Sequence, residues 1–123
     1  MTAEDKVLIE LTDAERHVLI RGFAEWGGPA RCTDALAVAM GFRGVEDLHV
    51  EGRRMSESIR SGHPLSRKDW RCALIATEVV FASDIFGSGV EWSTTTGLSD
   101  EETIKILRSL QRKLARSANV HNV

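Results

Sequence analysis

Four basic side chains near the end of the chain recur at the spacing of one helical face. They follow one another at steps of three, four and four residues: Lys105, Arg108, Arg112 and Arg116. That spacing predicts a basic stripe that lies opposite or beside the leucines of the same segment. Such a stripe could bind an acidic partner or phosphates. The alternative is a solvated face on a helix whose charge order suits its dipole.

Two carboxylates, Glu78 and Asp84, lie within the most apolar segment of the chain, which runs from Arg67 to Phe86. A buried carboxylate that lacks a partner costs on the order of several kcal/mol, or it shifts its pKa upward. We therefore expect either structural partners from a neighbouring helix or a functional role beside a ligand pocket. Because the two acids are six residues apart, they point to different faces and do not form an obvious catalytic pair.

One large aromatic side chain, Trp92, stands among the hydroxyl side chains of Ser93 to Thr96. A loop of this composition over 87–98 suits contact with a partner or ligand. The alternative is that Trp92 folds back over the core, while the threonines form a short edge strand. Alternation over 90–96 predicts a strand there that pairs with Val7 to Leu11.

Metal-binding and nucleophile motifs are not found in the sequence. The four histidines lack the i, i+4 spacing of a helical metal site, and Cys32 and Cys72 lack the spacing of a metal knuckle. The sequence also lacks phosphate-binding glycine loops and the strand-turn-helix serine motif of hydrolases. We therefore expect no metal and no cofactor, and we do not predict an enzyme.

The cellular setting is inferred from the cysteines and from the apolar runs. Cys32 and Cys72 are expected to be reduced and largely buried, which favours a cytoplasmic protein. The run from Val7 to Leu11 is too short for a signal peptide. The long apolar segment is interrupted by polar residues and so does not predict a membrane span.

The segment from Thr33 to Ile59 resembles a helix-turn-helix. It carries an Ala-rich helix up to Met40, a turn at Gly41, and a second helix that begins near Val45. A DNA-binding regulator is therefore one alternative function. The second helix, however, opens with acidic residues where a reading helix should meet phosphates, and a formal net charge of -2 gives no general attraction to nucleic acid.

Capping patterns predict where the helices that carry the candidate residues begin. Thr12, Ser66 and Ser99 each precede an acid three residues on and an apolar helical run, which predicts three helix starts. The predicted inner faces of the first, third and last helices are, in order, Leu19, Phe23 and Trp26; then Val45, Leu48, Gly52, Met55 and Ile59; then Ile104, Leu107, Leu110 and Leu114.

The sequence of 123 residues therefore predicts one mostly α domain over 1–123. We expect about five helices around a central apolar helix from Arg67 to Phe86, with a minor two-stranded β element. With a specified fold and no assembled chemistry, the leading hypothesis is a non-enzymatic, cytoplasmic protein-interaction module in a regulatory, adaptor or toxin-neutralising role. A second copy of the chain is one candidate partner. The other alternative is a small-ligand binder or enzyme that uses a buried acid.

Overall fold

The computed structural model describes residues 5–28, 30–83, 85–87 and 91–117. Within these ranges lie six helices and one two-stranded antiparallel sheet. In chain order the elements are β1 (Lys6–Val7), α1 (Asp13–Trp26), α2 (Asp34–Ala39), α3 (Val45–Ser61), β2 (Leu65–Ser66), α4 (Arg67–Ala82), α5 (Trp92–Thr96) and α6 (Asp100–Ser117). The predicted mostly α fold with a minor β element is confirmed, and the short helix α5 is the additional one.

The predicted caps begin the helices that they were expected to begin. Thr12 accepts from the Glu15 amide, and the Glu15 carboxylate accepts from the Thr12 amide, so both arms of a capping box are present. Ser99 and Glu102 form the same reciprocal pair. At Ser66 the hydroxyl accepts from the Asp69 amide. The Asp69 carboxylate there accepts from Arg54 of α3 and so ties two helices together.

The core forms where α1 and α4 pack together, with α3 and α6 also packed against both helices. Of the predicted inner faces, all but Val45 and Ile104 are buried, and Ile104 is 48% exposed. The largest fully buried side chains include Trp70, Trp92, Leu19, Leu48 and Met55.

The indole side chains of Trp26 and Trp70 each donate a hydrogen bond to the backbone of another element. The Trp26 indole donates to the Ala76 carbonyl at 3.0 Å, and the Trp70 indole donates to the Val7 carbonyl at 2.8 Å. Each ring therefore buries its apolar surface while its one polar atom is paired.

The predicted strand over 90–96 is wrong for the part that the structure describes, residues 91–96. Residues Trp92–Thr96 form α5, and β1 pairs instead with β2, with Lys6 opposite Ser66 and Val7 opposite Leu65. Threonine lowers helix propensity, but in α5 the Thr96 hydroxyl donates to the Trp92 carbonyl four residues earlier at 2.6 Å. Burial of Trp92 and this local hydrogen bond outweigh the β preference of the threonines.

The central helix is shorter and less enclosed than predicted. α4 ends at Ala82, because Ser83 takes an extended conformation, and so the predicted limit of Phe86 is wrong. On the outer side of α4, Ile75 is 38% exposed, and Ile85 beyond the helix is 79% exposed. No helix of the described residues is long and apolar enough to cross a membrane.

Candidate functional site

The basic face of α6, defined as Lys105, Arg108, Arg112 and Arg116, lies opposite the side on which α6 packs. All four side chains are exposed, whereas Leu107, Leu110 and Leu114 are buried. At 100° per residue the four cations fall within a narrow arc directly across the helix from these leucines. With a rise of 1.5 Å per residue, the basic face is about 16 Å long.

Among the described residues the basic face carries no close ion pair, although Glu102 lies near enough to Lys105 to interact with it electrostatically. Within the described part of the chain no ion pair involves its four cations, and Arg108 donates instead to the amide oxygen of Gln111 at 3.0 Å. Cations elsewhere in the described chain that form ion pairs include Arg16, Arg21, Arg43, Arg54, Arg60 and Lys113. Four like charges along one exposed helix face create a positive potential that attracts an acidic partner.

A buried charge cluster fastens α6 to α1 and so holds the basic face in place. The side chain of Glu15, only 3% exposed, accepts from Lys113 Nζ and from Ser109 Oγ, both at 2.6 Å. Lys113 also donates to the Glu10 carbonyl at 2.9 Å. Burial by itself would raise the pKa of Glu15, but the hydrogen bonds from Lys113, Ser109 and Thr12 outweigh it and lower the pKa below 4.5.

The carboxylate of Glu78 is half-buried on α4 and accepts from the Gln111 amide of α6 at 2.7 Å. The expected structural partner therefore comes from a neighbouring helix, although it is an amide rather than a cation. Within the described residues, Glu78 does not line the cleft between α1 and α3 or any of three further surface clefts. Asp84, the second predicted acid, lies outside the described residues.

Trp92, named as a candidate partner contact, has no exposed surface. Its indole nitrogen donates to Thr103 Oγ1 at 2.8 Å, and its ring meets Phe81 edge-on at a centroid distance of 5.6 Å. These contacts correspond to the core alternative, in which the ring anchors α5 between α4 and α6. Trp92 therefore belongs to the core and offers no surface to a partner.

Sequence reasoning missed a second buried carboxylate, Glu25 of α1. It accepts from Arg21 at 3.0 Å and from the Thr95 hydroxyl at 2.9 Å, which joins α1 to α5. The i, i+4 spacing of Arg21 and Glu25 was the available signal for the ion pair. The threonine partner, 70 residues away, could not be seen in the sequence.

The helix-turn-helix segment consists of α2, a turn with Gly41 at a φ of 108°, and α3. The start of α3 is held by acids: Asp34 accepts from the Val45 amide, and Asp47 accepts from the Arg43 amide, both at 2.9 Å. Carboxylates therefore occupy the helix end that would approach phosphates, as the sequence predicted.

The thiols and acids of the described residues do not assemble a reactive or metal-binding centre. Burial raises the pKa of both Cys32 and Cys72, which keeps them as neutral thiols. Among the described residues no group of three or more histidine, cysteine or acidic side chains could hold a metal ion.

A cleft between α1 and α3 is the second surface feature of interest, and sequence analysis did not predict it. Its volume is about 320 Å³, and it is lined by apolar residues of both helices beneath a polar rim. Periodicity places residues on a helix face, but the open space between two helices depends on how they pack.

Comparison with known proteins assigns no relative. The chain matches no protein-family model, and it matches neither a curated protein nor a solved structure.

Proposed function

We propose that this chain is a non-enzymatic protein-interaction module that binds an acidic partner protein through the basic face of α6. The observation that carries the proposal is that four exposed cations share one face of α6, and none of them forms an ion pair with the described residues. A cytoplasmic setting and a regulatory, adaptor or toxin-neutralising role belong to the same proposal.

The charge of the basic face also favours one class of partner over the others. If a second copy used the same face, eight like charges would meet, and such a contact is repulsive. A nucleic acid would need a broader basic surface than one helix face on a chain with a net charge of -2. An acidic protein requires only a complementary patch about 16 Å long.

The test begins with capture of partners from the lysate of the source organism on the full-length chain, after nuclease treatment. The face variant replaces the four cations of the basic face with glutamine. The matched control replaces four exposed cations elsewhere with glutamine, so that the net charge is the same: Lys6, Arg43, Arg67 and Lys68.

We expect an acidic protein that binds the wild type and the control equally, and that binds the face variant about tenfold or more weakly. The affinity should fall as ionic strength rises, because exposed charges are screened. The proposal is contradicted by a partner that binds the face variant as tightly as the wild type, or by recovery of nucleic acid alone when nuclease is omitted.

A further inference from the structure

The cleft between α1 and α3 has an apolar floor that the antiparallel packing of the two helices creates. Arg16 Nε donates to the Ile59 carbonyl at 3.0 Å at one end, and Phe23 packs against Gly52 near the middle. A Cβ on Gly52 would approach the Phe23 ring to 2.9 Å, so the glycine lets the ring lie close to the α3 backbone. Leu48 and the half-buried Ile20 complete the floor.

The rim of this cleft carries guanidinium groups on the α3 side. Arg53 is exposed and takes part in no ion pair with the described residues, while Arg60 is bound to Glu57 at 3.1 Å in an exposed pair. Exposed pairs of this kind contribute little to stability, so Arg60 can donate to a second carboxylate at small cost. The rim therefore carries one more positive charge than negative charge and favours an acidic occupant.

The dimensions of the cleft favour a helix over a small molecule. Its lining extends from Leu48 to Arg60 along α3, which at 1.5 Å per residue is about 18 Å, or the length of twelve helical residues. Arg53 and Arg60 are two turns apart, about 10.5 Å along the axis, so a single small carboxylate reaches only one of them. Two carboxylates seven residues apart on a helix would reach both.

We propose that this cleft docks an acidic amphipathic helix of a partner protein. An apolar side chain of that helix would lie against Ile20 and Phe23, and carboxylates two turns apart would meet Arg53 and Arg60. The cleft shares no residue with the basic face of α6, so this is a separate contact from the one proposed above. A second copy of this chain is a poor occupant, because a symmetric contact would bring the same arginines together.

The proposal is tested with a displayed library of 16-residue helical peptides whose exposed side chains are randomised. Peptides are selected for binding to the folded full-length chain. The blocking variant is Ala24→Trp, which places an indole over the cleft from the exposed side of α1. The matched control is Ala14→Trp, an exposed position on the same helix outside the cleft. Circular dichroism checks that both variants retain the wild-type helix content.

We expect selected peptides that carry acids seven residues apart around an apolar side chain. They should bind Ala14→Trp like the wild type and Ala24→Trp about tenfold more weakly. Arg53→Glu, a surface change that does not disturb the core, should weaken them about three- to tenfold, and Lys105→Glu should leave them unchanged. Peptides that bind all variants equally, cleft-dependent peptides without acids, or no cleft-dependent peptides would each overturn the proposal.

Discussion

Helix α1 packs against α4 and α6 by two different physical means. Against α4 the contact is close and uncharged: a Cβ on Gly22 would lie only 2.9 Å from Thr77 Cβ, and both residues are buried. Against α6 the central contact is the buried carboxylate of Glu15 with its donors Lys113 and Ser109. The first contact depends on shape, and the second depends on charge.

The two contacts should therefore respond differently to pH: the α1–α4 contact should not depend on pH, whereas the α1–α6 contact should. Close apolar packing does not change with proton concentration, whereas a paired buried carboxylate is stabilising only while it is ionised. Because α6 carries the basic face, the attachment of the proposed partner surface depends in part on the charged contact, alongside the burial of Leu107, Leu110 and Leu114. Breaking either contact by substitution tests this comparison.

The largest effect is expected for Gly22→Val at the α1–α4 contact. The added side chain has no space beside Thr77, and overpacking of this kind should lower the free energy of unfolding by about 3 kcal/mol. Urea denaturation measures the loss. Ala24→Val, at an exposed position of the same helix, is the matched control and should cost no more than about 1 kcal/mol.

A second substitution checks the cause of that loss. Thr77→Ala removes Oγ1 and Cγ2, two of the three Thr77 atoms that the added Cβ would meet, so it should recover part of the stability in a Gly22→Ala background. Purely additive losses in the double variant would show that the two side chains do not collide.

An intermediate effect is expected for Lys113→Met at the α1–α6 contact. The substitution leaves Glu15 buried with its hydrogen bonds from Ser109 and Thr12 but without a countercharge. We expect a loss of about 2 kcal/mol in the free energy of unfolding, which is below the full cost of an isolated buried charge because two donors are retained.

The control for this prediction is Lys105→Met, which removes an exposed lysine from the same helix and should change stability by less than about 0.5 kcal/mol. Equal losses for the two variants would mean that the charge cluster does not hold α6 in place.

The smallest effect is the dependence of the α1–α6 contact on pH. The pKa of Glu15 in the folded protein lies below its ordinary 4.5, so its stabilising contribution is fully present above about 4.5. The contribution is lost as the pH falls through the lower folded-state pKa. We expect the stability advantage of the wild type over Glu15→Gln to shrink over that acidic range, as measured by urea denaturation at several pH values.

Glu102, whose pKa is also lowered through its hydrogen bonds with Ser99, is present in both proteins, so its contribution cancels. A stability difference that stays constant from neutral to acidic pH would contradict the assigned role of Glu15.

Much of the fold could be predicted because its signals are local. A hydroxyl at a helix start bonds to an amide three residues on, and so Thr12, Ser66 and Ser99 mark their helices without reference to the rest of the chain. The end of α3 is marked by a local signal too, because Gly62 takes a left-handed conformation with a φ of 74° that stops the helix. Lys105 to Arg116 could be placed on one face for the same reason, since a helix repeats every 3.6 residues.

The errors occurred where distant contacts decide the conformation. The threonines of α5 favour a strand, but the segment is helical around a Trp92 ring held by Phe81 and Thr103. Glu15 was identified only as a capping residue, because its partner Lys113 lies 98 residues away. The cleft between α1 and α3 could not be predicted, because it depends on the packing of two elements.

The sequence by itself determined where most helices begin, which faces of them are apolar, and that four cations share one face, because these properties depend on residues within a few positions of one another. Only the tertiary structure decided that Trp92 is buried, that Glu15 fastens α6 to α1, and that a cleft opens beside Phe23. Those outcomes depend on which side chains meet across the chain, and the spacing of residues along one segment does not encode that.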